Sequence, residues 1–202
     1  IFLYRFPYSE VGEVLKRVHG WEIYGFAART LPEEANGSYS GFLDLQTVID
    51  AAKSTPLPED IVTRCQNIEA EYDVNLADII LADRHLGIGW VTGGIYHRGK
   101  MSYLPYTRQL YIIERVCHAV REFVEQVGPS VVCTGGVGSF VGAIIYVVCE
   151  RMGIPVVSLT QAISKSYYYW DLDRYGAVPG LEEAYLRIKA GPLIPSDEPV
   201  RD

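Results

Sequence analysis

Two groups of residues in this chain have the types and spacing that chemistry uses. The first is Thr134-Gly135-Gly136-Val137-Gly138-Ser139, which follows the apolar run Val131-Val132-Cys133 and precedes a long apolar stretch from Phe140 to Met152. Small residues at such a turn let backbone approach a ligand closely. Thr134, Ser139 and the N–H groups of a helix start could then hold hydroxyls, a carboxylate or a phosphate. The second group is Asp83-Arg84-His85, placed directly after the apolar segment Leu76 to Leu81. Asp83 and His85 have the chemistry of a general base, and Arg84 could pair with a carboxylate or phosphate. Each group also has a plain structural explanation. The glycines could serve only a tight strand-to-helix connection, and Asp83 with Arg84 could be a surface pair that caps an element.

The elements that must position these residues can be read from periodicity. Ser130 to Thr134, a helix from Phe140 to Met152, and Gly153-Ile154-Pro155-Val156-Val157-Ser158-Leu159-Thr160-Gln161 form strand, turn, helix and strand. That order is one βαβ unit of a parallel sheet, and ligands of such sheets sit beyond the carboxyl ends of the strands. Upstream, Ile1 to Tyr4 and Trp21 to Ala27 read as strands. Between them Ser9 is a candidate N-cap for a helix over Glu10 to Val18. Thr30 to Ser40 has the composition of an exposed loop.

Leu45 to Lys53 and Pro58 to Tyr72 read as helices, the second with a stripe of Ile61, Val62, Cys65, Ile68 and Tyr72. Leu76 to Leu81 is helix or buried strand. Gly87 to Tyr106 has no clean period and reads as a long loop. Tyr106 to Val127 is the clearest helix, with Leu110, Ile113, Val116, Cys117, Val120, Phe123, Val124 and Val127 along one face and Gly128-Pro129 as its stop. Of the aromatic run Tyr167-Tyr168-Tyr169-Trp170, at least one tyrosine should be exposed, because neighbours on a strand alternate faces. A short helix over Leu181 to Lys189 and a Pro-rich linker over 191–202 close the chain.

Composition removes several function classes. The 202 residues are 49% hydrophobic and 21% charged, as in a globular protein. A net charge of −7 with no Lys/Arg cluster excludes nucleic acid as the main partner. No apolar run reaches the ~18 residues of a membrane span, which leaves peripheral membrane contact open. Cys65, Cys117, Cys133 and Cys149 form no C-x-x-C pair and read as buried thiols of a reducing, cytoplasmic setting.

Known nucleotide fingerprints fail. Gly136 and Gly138 fit the first two positions of G-x-G-x-x-G, but Val141 occupies the third and no ribose-binding acid follows. No Gly-Lys-Ser/Thr follows the turn either. Glu114, His118 and Glu122 fall at i, i+4 and i+8, a spacing that suggests metal ligands. They lie opposite the core stripe with no H-E-x-x-H pattern, so a solvated face is expected, with no metal and no cofactor.

The segment Cys133 to Ser139, the helix after it and Gly153-Ile154-Pro155-Val156-Val157 resemble the N-terminal half of GT-B glycosyltransferases. That group includes the peptidoglycan N-acetylglucosaminyltransferase and the capsule or surface-polysaccharide biosynthesis proteins. Glu69-x-Glu71-Tyr72 together with Ala82-Asp83-Arg84-His85 resembles the polysaccharide group more faintly. The likeness spans about Glu69 to Tyr175.

The resemblance implies an α/β fold with a Rossmann-like parallel sheet and helices on both faces. Residues 1–190 would form the acceptor-side domain of a two-domain enzyme, with 191–202 leading to a second α/β domain. It implies transfer from a nucleotide-sugar to a carbohydrate acceptor in surface polysaccharide synthesis. Asp83 and His85 are then the candidate bases. Arg84, Thr134, Gly135, Gly136, Gly138, Ser139 and Gln161 are the candidate binding residues. Two alternatives stay open: a non-catalytic binding or assembly domain, and a sugar-nucleotide epimerase of the same architecture.

Overall fold

The computed structural model describes residues 2–3, 8–27, 39–83, 86, 104–134, 139–161, 168–171 and 180–190. Within them the chain is mixed α/β and mostly helical. In chain order the elements are β1 (Phe2–Leu3), α1 (Tyr8–His19), β2 (Tyr24–Ala27), β3 (Gly41–Asp44), α2 (Leu45–Ser54), α3 (Ile61–Tyr72) and α4 (Leu76–Ala82). There follow α5 (Tyr106–Val127), β4 (Val132–Thr134), α6 (Phe140–Arg151), β5 (Val156–Gln161), β6 (Tyr168–Asp171) and α7 (Leu181–Ala190).

The strands pair in the order β3-β2-β1-β4-β5-β6. All neighbours run parallel except β5 and β6, which are antiparallel. The β4–α6–β5 unit expected from the sequence is therefore present, with Thr134 in register with Ser158.

Alternation along the strands separates two apolar layers. Phe26, Val132 and Val156 face a large core built with α2, α3, α4, α5 and α6. Ile23, Cys133 and the half-buried Val157 face a smaller cluster completed by Val11 and Leu15 of α1. The helix α5 runs through the large core, and Phe123 meets Phe26 edge-on at a centroid distance of 5.5 Å. Its end is as the sequence indicates: Gly128 adopts φ 57°, which glycine reaches without steric cost, and donates its N–H to the Val124 carbonyl.

Several boundaries depart from expectation. The first helix begins at Tyr8, so Ser9 lies within its first turn and is not the N-cap. The third helix starts at Ile61, after a turn in which the Pro58 carbonyl accepts the Ile61 N–H at 3.3 Å. Val62, expected in its core stripe, is 51% exposed. Leu76 to Ala82 resolves as helix, and β3 is a strand where no strand was expected. The aspartate that ends β3 caps α2: Asp44 Oδ1 accepts the N–H groups of Gln46 and Thr47 at 2.9 and 3.2 Å.

Gly25 on β2 lies opposite Phe42 on β3, whose ring covers it. A Cβ at residue 25 would stand 2.2 Å from Phe42 Cε1. We predict that Gly25→Ala lowers stability by about 1–3 kcal/mol, the usual cost of overpacking. Urea unfolding checks this, and Gly25→Ala with Phe42→Leu should recover most of the loss. Equal losses in the single and double variants would show that the ring is not the cause.

Candidate functional site

The carboxyl end of β4 holds the described part of the Gly-rich turn. Thr134 ends the strand at 2% exposure, and Ser158 beside it on β5 is 4% exposed. Both stand two residues beyond valines of the large core, Val132 and Val156, and so share their side of the sheet. Two buried hydroxyls thus sit next to each other where apolar side chains would pack as well. Register places Asp171 of β6 opposite Ser158, and Gln161 opposite Tyr168.

Ser139 ends the turn and begins α6, as the sequence suggested. Its backbone is extended, with φ −146° and ψ 156°, and its Oγ accepts the Gly142 N–H at 3.2 Å. That is the arrangement of a side-chain N-cap. Gly135, Gly136 and Gly138 lie outside the described residues, as do Arg84, His85, the 87–103 loop and the 191–202 linker.

Asp83 is brought to the same place from 57 positions earlier in the chain. It is 1% exposed, at the C-cap of α4. Its Oδ2 accepts the Phe140 N–H at 2.7 Å, and its Oδ1 accepts the Leu86 N–H at 2.5 Å. The side chain thus receives two backbone hydrogen bonds and stands at the positive end of the α6 dipole. Asp83, far away in the chain, therefore binds the first residue after the Gly-rich turn.

A second polar centre lies between α3 and α5, and here the expectation of a solvated face is corrected. Glu114 is 1% exposed. The helix α5 is wedged between α2, α3 and α6, and over residues 109–114 it has no solvent side: Gln109, Tyr111, Ile112 and Glu114 are all buried. Glu114 Oε1 lies 3.5 Å from Arg64 Nη1 and 3.4 Å from His118 Nε2. Its Oε2 has no hydrogen-bond partner among the described residues. His118 is half exposed and Glu122 is exposed, so only Glu114 departs from expectation. Among the described residues no three His, Cys, Asp or Glu side chains gather as metal ligands would.

The two acidic residues of the fainter motif have separate tasks. Glu69 Oε1 accepts the Leu76 N–H at 2.9 Å at the start of α4, and Glu71 pairs with Arg121 at 2.5 Å across to α5. Both partners of the second pair are well exposed, so that ion pair contributes little.

All four cysteines are buried and outside any disulfide. Burial pushes the Cys65 and Cys133 thiols up to about 11 and those of Cys117 and Cys149 up to about 12. Burial likewise pushes Tyr72 up to about 12. In the unfolded chain these thiols ionise near the ordinary value of 9.0. Between that value and 11–12 the unfolded state therefore binds fewer protons than the folded one, and stability falls as pH rises.

We predict a urea midpoint that declines as pH rises from 9 to about 12. We also expect native thiols that stay unreactive to a disulfide reagent until urea is added. A flat midpoint across that window, or rapid labelling of the native protein, would contradict the burial of these groups.

Grooves elsewhere on the surface do not coincide with this centre. One, bordered by Trp21, Tyr24 and Pro129, and another, bordered by Tyr146, Glu150 and Pro155, both lie at the amino ends of the strands. No helix among the described residues is long and apolar enough to cross a membrane.

Fold and site together define a mixed α/β chain with a parallel β4–α6–β5 unit, in which the first N–H of α6 is bound by the buried Asp83 at the end of α4. Compared with known proteins, the chain matches no family model, no curated protein and no solved structure.

Proposed function

We propose that this chain is a Rossmann-like acceptor-side domain of a GT-B-type glycosyltransferase, acting on a carbohydrate acceptor in surface polysaccharide synthesis. The observation that carries this reading is the strand order β3-β2-β1-β4-β5. It reverses direction between β1 and β4, and in open α/β sheets ligands bind at that switch point, beyond the carboxyl ends of the strands. The Gly-rich turn follows β4 at that place. The buried hydroxyls of Thr134 and Ser158 beneath it are consistent with a polar crevice. The donor nucleotide-sugar and a second α/β domain belong to the same proposal.

The test is sugar transfer by the complete protein from its natural source, supplied with nucleotide-sugars and surface-polysaccharide acceptors. Product analysis resolves transferred sugar from free epimer. Transfer that is lost on Gly136→Val is the expected result. Release of an epimerised nucleotide-sugar without transfer would favour the epimerase. Absence of any turnover alongside tight capture of a glycan would favour a binding or assembly domain.

A further inference from the structure

The carboxylate at the start of α6 carries a consequence for what the turn can bind. We infer that Asp83 is a positioning and specificity residue: it fills the anion position at the N-terminus of α6 from inside the protein, so the Gly-rich turn excludes phosphate groups from that helix end. The specificity half of this inference rests on the proposed role of the turn as a ligand site.

The N-terminus of a twelve-residue helix normally offers its first N–H groups and a partial positive charge to an anion. Here the Phe140 N–H is taken by Asp83 Oδ2 at 2.7 Å, and the Gly142 N–H is taken by Ser139 Oγ at 3.2 Å. The charge that complements the dipole is already present and buried. A phosphate arriving at the same donors would meet a carboxylate at close range in a medium of low dielectric, where like charges repel strongly. A neutral hydroxyl meets no such repulsion. The donor phosphates of the proposed reaction are therefore held elsewhere, and this helix end is left to a neutral, hydroxyl-bearing partner.

The same geometry argues against proton transfer by Asp83. A general base must present a lone pair to the hydroxyl it deprotonates, within about 3 Å or through one water. Asp83 is almost wholly buried, and each oxygen is committed to a backbone N–H on a different segment. Those two bonds tie the residues after α4 to the start of α6.

The complete protein, labelled with 15N-phenylalanine, provides the test. The Phe140 cross-peak is assigned by its loss in Phe140→Leu, and inorganic phosphate or uridine diphosphate is titrated at constant ionic strength. In the native protein the Phe140 amide should not shift saturably with either probe. In Asp83→Asn, which removes the charge and keeps the shape, phosphate should bind roughly tenfold or more tightly and move that amide.

A saturable phosphate shift at Phe140 in the native protein would overturn the inference, whether or not the Asn variant folds. So would equal phosphate affinity in the two proteins. Failure of the transferase assay is a separate result, since it leaves this titration unchanged.

Discussion

Asp83→Ala is expected to lower the unfolding free energy by about 4 kcal/mol, because each of two buried N–H groups left without an acceptor costs about 1–3 kcal/mol. The groups concerned are those of Phe140 and Leu86, each within 2.7 Å of an Asp83 oxygen. Against a typical total of roughly 5–15 kcal/mol this is a large fraction. The loss should be shared by two regions, since the carboxylate ties the end of α4 to the start of α6. Asp83→Asn should be milder, because one acceptor oxygen remains while the amide turns a donor toward the other N–H. Glu150→Gln, an exposed change on the same helix, serves as the control and should stay within about 0.5 kcal/mol. Urea unfolding measures all three. A loss in Asp83→Ala no larger than the control would remove the latch.

The second large effect concerns Glu114 and is asymmetric. Its carboxylate is fully buried, whereas Arg64 is 45% exposed and His118 is 50% exposed. The buried member bears most of the desolvation cost, and the contacts at 3.5 and 3.4 Å repay it only in part. Glu114→Met, which fills the same volume without charge, is therefore expected to be neutral or to stabilise by up to about 3 kcal/mol. Arg64→Met strands the carboxylate and should destabilise, by less than the loss of a buried partner would, because the guanidinium is exposed. The double variant should match Glu114→Met, because once the buried charge is gone Arg64 has, among the described residues, the exposed partner Asp60. A double-variant cycle in urea reads the coupling directly. Glu114→Met losing more than Arg64→Met would mean that the carboxylate has a stabilising partner beyond these two side chains.

Both effects arise at positions where the sequence showed residue types but not surroundings. Ionisable side chains after an apolar segment are visible in a sequence, so Asp83 could be singled out as chemically suggestive. Its contact with Phe140 could not be, since local patterns carry no information about which segments 57 positions apart will meet. Glu114 shows the same limit in the other direction. Helical periodicity locates one apolar stripe and treats the opposite face as wet. That rule fails for α5 because α2, α3 and α6 surround residues 109–114, and burial on all sides is a property of the neighbours. The strand β3 was missed because Gly41-Phe42-Leu43-Asp44 is too short to show a period. Its identity depends on parallel pairing with β2.

What the sequence determined by itself was the local grammar of the β4–α6–β5 unit. Apolar runs of strand length, a serine at the helix start and Gly128 at the end of α5 each act through backbone preference within a few residues. These features appeared where expected because their physics is local. The tertiary structure alone decided how those pieces became one centre. It brought the α4 carboxylate to the α6 N-terminus, set Ser158 beside Thr134 and withdrew Glu114 from water. Hydrogen bonds and electrostatic terms of that kind depend on distance in space and on burial, and both come into being only when the helices pack against the sheet.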